Sequence, residues 1–175
     1  MPEPGPGRGV GIVDGDGLAD RLPNRGFAVP PFSDRRWQEI AEARRTIEPV
    51  VLRMPIDRGD VDWEADVRAA HHRLARTPAF VPDDGRHYSE AWFEAHRTFH
   101  RTLLEGCRNP VLLETFDRMW TASELTRRWS AQRDPGCDGA DEHRRLEEAA
   151  LARDADAAAE ILTQHLTLTA AASTE

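Results

Sequence analysis

Residues 89–107, SEAWFEAHRTFHRTLLEGC, decide the fold. Ser89 is a helix-capping residue type, and Trp92, His96, Phe99, His100, Leu103 and Cys107 follow at the three- and four-residue spacing of one helical face. That face is almost wholly apolar, so it is the side a helix turns toward a core. The two histidines break the pattern. They stand at i and i+4, one above the other on the buried stripe.

The same periodicity extends to both sides. Ser33 can cap a helix over roughly 34–54, with Trp37, Ile40, Ala41, Arg44, Ile47, Val51 and Leu52 on one side and Pro55 and Gly59 as its stop. Asp60 can cap a second over 61–76, striped by Trp63, Val67, Ala70 and Leu74. Residues 77–88 hold Pro78, Pro82 and Gly85 and read as a loop, with no convincing strand anywhere after Ser33. Asn109-Pro110 places proline in the first turn of a fourth helix. That helix runs to about Gln132 through Leu113, Phe116, Trp120, Leu125 and Trp129. Residues 134–139 read as a loop. Helices over 141–153 and 156–172 then form a hairpin about Asp154-Ala155-Asp156. The expected fold class is all-α, an antiparallel bundle of about six helices.

The first 33 residues differ. Residues 1–17 are rich in Gly and Pro with little apolar pattern, and are expected to form a disordered arm. In 18–33, Leu22 and Phe27-Ala28-Val29 flank the turn-rich Pro23-Asn24-Arg25-Gly26, which predicts a small β-hairpin.

Hairpin geometry brings in two further histidines. His143 stands eleven residues before Asp154 and His165 eleven after it, so they should face each other across the hairpin. Both lie on apolar stripes. Four inward imidazoles, His96, His100, His143 and His165, could therefore converge in the bundle interior, where helical metal sites are built. Hydrogen-bonded core histidines are the alternative. His71, His72 and His87 fall on a polar face or in the loop and are expected to be solvated.

Composition removes other function classes. All 23 basic residues are arginine and the net charge is −8, which argues against a broad basic face for nucleic acid. Cys107 and Cys137 make one possible pair without a CxxC, so neither a disulfide scaffold nor a thiolate zinc site is expected. No stretch approaches the ~20 apolar residues of a membrane span, and the start has no basic-then-apolar leader pattern, so a cytoplasmic location is expected. GPGRGVG near the start lacks the strand before it and the GK[ST] ending of a phosphate loop.

Several stretches are similar to one known family. They are Glu42-Ala-Arg-Arg-Thr-Ile-Glu-Pro49, Phe99-His100 with Cys107-Arg-Asn-Pro110, and His143-Arg-Arg-Leu-Glu-Glu-Ala-Ala150 with Arg153-Asp-Ala-Asp-Ala157 and His165-Leu166. Together they resemble the FCD domain, the helical ligand-sensing domain of the FadR-type branch of the GntR transcription regulators, over 34–172. The resemblance implies a divalent metal, zinc first with nickel or manganese as alternatives, on His96, His100, His143 and His165. His96 occupies a position where the family carries aspartate, and some members hold no metal.

Leu18–Pro31 resembles the wing and linker that close the family's winged helix-turn-helix. The recognition helix that should precede it is not in this sequence, so the chain is expected not to bind operator DNA by itself. A homodimer is expected, again by resemblance.

The implied function is sensing: a small organic acid bound beside the metal, with no catalysis. Arg44, on the inner stripe, is the candidate carboxylate clamp, or else a partner for Glu48 four residues on. Asn109 and Trp129 are candidate effector contacts, with a helix junction and a core aromatic as their structural alternatives. Two further functions stay open: a bundle metalloenzyme, and a metal-free dimerisation remnant of a truncated regulator.

Overall fold

A computed structural model describes residues 20–22, 26–28, 34–81, 84–130 and 139–171. The chain divides into two compact units, 1–31 and 32–175. In the first, β1 (Asp20–Leu22) pairs antiparallel with β2 (Gly26–Ala28), with Arg21 opposite Phe27. The hairpin read from the turn residues is thus formed. Residues 1–17 and Ser33 lie outside the described residues.

The second unit is the expected all-α bundle. Its helices are α1 (Asp34–Arg58), α2 (Val61–Arg76), α3 (Glu90–Glu105), α4 (Pro110–Ser130), α5 (Ala140–Leu151) and α6 (Ala155–Ala171). α1 lies against α3, α4 and α6, α2 against α3 and α5, and α5 against α6. The Asp60 and Ser89 caps read from sequence are in place, and Asn109, read only as a helix junction, caps α4. Asp60 accepts from the Trp63 N–H, Ser89 from the Trp92 N–H, and Asn109 Oδ1 from the Val111 N–H.

Two boundaries differ from the sequence-based expectation. α1 does not stop before Pro55 but runs through Pro49 and Pro55 to Arg58. A mid-helix proline removes one donor and ordinarily ends a helix. Here both prolines are buried, and Ile56 (1% exposed) extends the stripe four residues beyond Leu52 (0%). Apolar burial outweighs the lost hydrogen bonds. The Gly59 N–H then closes the last turn onto the Pro55 carbonyl at 2.6 Å. The second difference is the loop 77–88, which contains an antiparallel pair, β3 (Phe80–Val81) and β4 (Asp84–Tyr88). Phe80-Val81 and the run ending at Tyr88 flank Pro82-Asp83, a turn-forming pair whose hairpin signal is legible in hindsight.

The core runs through Leu52, Ile56, Val67, Phe99, Leu103, Phe116, Trp120, Leu146 and Leu162, each 2% exposed or less. Polar ties fix the ends. Arg153, at φ +62°, donates to the carbonyls of Ile56 (2.7 Å) and Gly59 (2.8 Å) and pairs with Glu64, joining the α5–α6 turn to the α1–α2 turn. Its guanidinium carbon lies over Trp63, 5.3 Å from the ring centre. Trp63 Nε1–H donates to the Thr102 carbonyl at 3.1 Å, holding α2 on α3. No helix among the described residues is long and apolar enough to cross a membrane.

Candidate metal centre

α3 presents His96 and His100 one turn apart, and the α5–α6 hairpin brings His143 and His165 to the same place. All four are buried, at 4%, 3%, 2% and 7% exposure. His96 Nε2 lies 3.1 Å from His143 Nε2 and 3.1 Å from His100 Nε2, and the third side of this triangle, His100 to His143, is 3.3 Å. One ligand atom from each of the four histidines can be chosen so that all lie within 4.8 Å of one another.

Three ring nitrogens at mutual hydrogen-bond distance cannot satisfy each other. Each is either a donor or an acceptor, so at least two of the three are alike and meet proton to proton or lone pair to lone pair. A cation removes the conflict by accepting all the lone pairs. Nitrogens ~2.0–2.1 Å from a zinc stand roughly 3.3–3.4 Å apart across a tetrahedron. The triangle is close to that spacing, and the donor set suits a borderline divalent ion.

The surroundings orient the rings. His165 Nδ1–H donates to Glu142 Oε2 at 2.7 Å, which leaves its Nε2 lone pair free to face an ion. This hydrogen bond holds the Glu142 carboxyl below its ordinary range, against the opposing effect of burial. Trp92 stacks on His96 at 4.6 Å and 20°. Phe99 lies edge-on to His100 and His143 at 5.5 and 5.6 Å. Gly139, at the N-terminus of α5, has φ +62°, and a Cβ there would sit 3.2 Å from His143 Cε1 and 3.3 Å from His165 Cε1. A side chain there would adopt a left-handed backbone and press both rings back by a few tenths of an ångström.

Beside the cluster lies a buried ion pair. Arg44 Nε and Nη2 donate to the two Glu48 carboxylate oxygens at 2.5 and 3.2 Å, and Nη1 donates to Ser123 Oγ at 3.1 Å. Trp120 connects the two regions, its ring 5.0 Å from the Arg44 guanidinium carbon and 5.2 and 5.4 Å from the rings of His96 and His100. Arg44 therefore adjoins the histidines through one indole and is already engaged by Glu48. Asn109 is exposed and caps α4, and the Trp129 side chain lies outside the described residues.

His71 departs from the solvated role expected for it. Because α2 packs on both α3 and α5, its ring is largely covered, 5.4 Å from Phe99, with Nδ1 2.5 Å from Glu147 Oε2. His72 is exposed as expected, and the side chain of His87 lies outside the described residues. Sequence reasoning also missed Glu142 as a partner of His165. The register that pairs 143 with 165 places 142 beside it as well. Trp120 was legible only as a core aromatic, and Gly139 only as a loop residue.

Residues 39–168 match the family model of the FCD domain. The HTH-type transcriptional regulator BphR of Paraburkholderia xenovorans is 30% identical over 158 residues, which make up 90% of this chain and 64% of BphR. The chain thus spans less than two thirds of that relative. Among solved structures, a GntR family member from Pseudomonas syringae pv. tomato is 21% identical with a TM-score of 0.68, covering 91% of this chain and 64% of its own. The Zn2+-bound FCD domain of TM0439 is 17% identical with a TM-score of 0.58, covering 81% of this chain and 94% of its own. The helical unit accords with these similarities, and the chain belongs to the FCD domain family, the helical domain of GntR-type transcriptional regulators.

Proposed function

We propose that this chain is the effector-binding domain of a transcriptional regulator and binds a small organic acid beside a divalent metal held by His96, His100, His143 and His165. The observation that carries this is the convergence of four buried imidazoles from three helices onto one point. The zinc-bound state named for the TM0439 domain supports zinc as the first ion to test. A bound divalent ion would supply a buried positive charge that attracts a carboxylate.

In this role the protein's own residues do three things. Glu142 fixes the tautomer of His165, Trp92 and Phe99 hold the rings in place, and the apolar core around Trp120 and Phe116 keeps water from competing. Binding then favours one packing of α3 against the α5–α6 hairpin, and that bias is what a sensor passes on. In the whole regulator, a winged helix preceding Leu18 would read DNA, the helical domains would pair as a homodimer, and the protein would act in the cytoplasm.

The experiment is a thermal-shift series on the purified chain, first with zinc and then with zinc plus small carboxylic acids. Zinc alone should raise Tm, and one or more acids should raise it further only in the presence of zinc. No response to zinc at saturating concentration would overturn the proposal. Turnover of any acid by the zinc-loaded chain would replace it with the metalloenzyme reading.

A further inference from the structure

We propose that the histidine cluster takes zinc, nickel or cobalt and refuses manganese and magnesium, and that His96 is the residue on which the choice turns. The inference rests on the metal reading above and extends it to the identity of the ion.

Among the described residues, the group able to hold an ion offers four imidazole nitrogens and no carboxylate oxygen. Glu142 meets His165 at Nδ1, 2.7 Å away, and so stands behind a ligand instead of among the ligands. An ion here is held by nitrogen lone pairs alone. Zinc, nickel and cobalt bind imidazole well, whereas manganese, lowest in the affinity order of these ions, draws its binding from carboxylate, carbonyl and water oxygen, as magnesium does. Water does not make up the deficit in this setting. Trp92, 8% exposed, stacks on His96 at 4.6 Å, and Trp120, 1% exposed, lies 5.2 Å from the same ring. Phe99, fully buried, stands edge-on to His100 and His143. Aromatic faces are weak acceptors for the protons of ion-bound water.

His96 is where one oxygen would convert the site. Its Nε2 is the corner of the nitrogen triangle, 3.1 Å from Nε2 of His143 and 3.1 Å from Nε2 of His100. A glutamate oxygen lies as many bonds from Cα as Nε2 does, so H96E would exchange one nitrogen for one charged oxygen at the same reach. The same change at 165 would set a carboxylate against Glu142. At 100 it would remove a ring packed by Phe99, Trp120 and the near-parallel His165.

The test is equilibrium dialysis of the metal-free full chain against each ion alone at one low micromolar concentration, with bound metal counted by atomic emission. Wild type should take up about one equivalent of zinc, nickel or cobalt, and less than about a tenth of an equivalent of manganese or magnesium. H96E should bind manganese about tenfold or more tightly than wild type does and narrow the zinc-to-manganese ratio, whereas H96Q, with a neutral oxygen at the same reach, should weaken zinc without admitting manganese. Should the buried carboxylate unfold metal-free H96E, recovery of helical dichroism is read instead. Manganese restores the fold if His96 sets the choice; recovery with zinc only, or with neither ion, overturns that role. One equivalent of manganese on the wild type overturns the inference whatever the variants do, and so does a folded H96E whose zinc-to-manganese ratio matches wild type. Failure of every ion to bind the wild type takes down the metal reading and this with it, whereas equal uptake of zinc and manganese overturns this inference alone.

Discussion

Replacing Gly139 by alanine separates backbone strain from crowding of the histidine cluster. Gly139 sits at φ +62° and ψ 14°, the left-handed region, where a Cβ costs roughly 1–2 kcal/mol. For a domain of this size each kcal/mol moves Tm by about 2–4 °C, so the metal-free G139A chain should melt about 2–8 °C lower. The second effect is local. The new Cβ would lie 3.2 and 3.3 Å from the Cε1 atoms of His143 and His165, tighter than ordinary contact, so both rings must give by a few tenths of an ångström. Ligand distances in a metal site tolerate about ±0.2 Å, and zinc affinity should fall by about tenfold or more. Asparagine occupies the left-handed region at lower cost but carries the same Cβ. G139N should thus recover most of the metal-free stability while still losing zinc affinity. Thermal melts without metal, paired with zinc competition titrations, read the two effects separately. If G139A melts lower yet binds zinc within twofold of wild type, the proximity of Gly139 to the ion site is refuted.

Other expected outcomes follow from the same geometry. Glu142→Gln should weaken zinc binding about 10–100-fold, measured by competition with a chromogenic chelator, because the charged acceptor that fixes the His165 tautomer is replaced by a neutral amide. The Glu142 carboxyl is held below its ordinary range, so the stability it lends the metal-free fold is present above the unfolded value and lost as pH falls through the lower folded one. Melts of wild type and E142Q without metal should therefore converge in acid and separate toward neutrality. Phe99→Ala empties a fully buried site touching His71, His100 and His143 and should cost about 3–5 kcal/mol in denaturant unfolding. Asp60→Ala removes the α2 cap and the Arg108 partner together and should lower Tm at neutral pH, with the difference fading in acid.

The bundle was legible because its signals are local. Ser89, Asp60 and Asn109 cap helices through side chains that contact their own next turn, and the stripes on α2 and α3 bury the residues their spacing selects. The histidine cluster was legible for a different reason. An i,i+4 pair and a symmetric hairpin are the two cases where sequence distance fixes spatial distance, and His96, His100, His143 and His165 use both. What was illegible depends on contacts between distant segments. The passage of α1 through Pro55 is decided by burial of Ile56 against other helices, and the covering of His71 by the approach of α5. The Arg44–Glu48 pair was readable as an i,i+4 spacing, but Ser123 and Trp120 come from α4 and appear only in three dimensions.

Whether the four imidazoles hold one ion can be read from zinc K-edge X-ray absorption on the chain loaded with one equivalent of zinc. The zinc ligands should include four imidazole nitrogens at ~2.0–2.1 Å, with the outer-ring scattering characteristic of histidine, and one imidazole should be lost in His100→Ala. A shell of water and carboxylate oxygens with one imidazole or none, or a spectrum unchanged by His100→Ala, would contradict it.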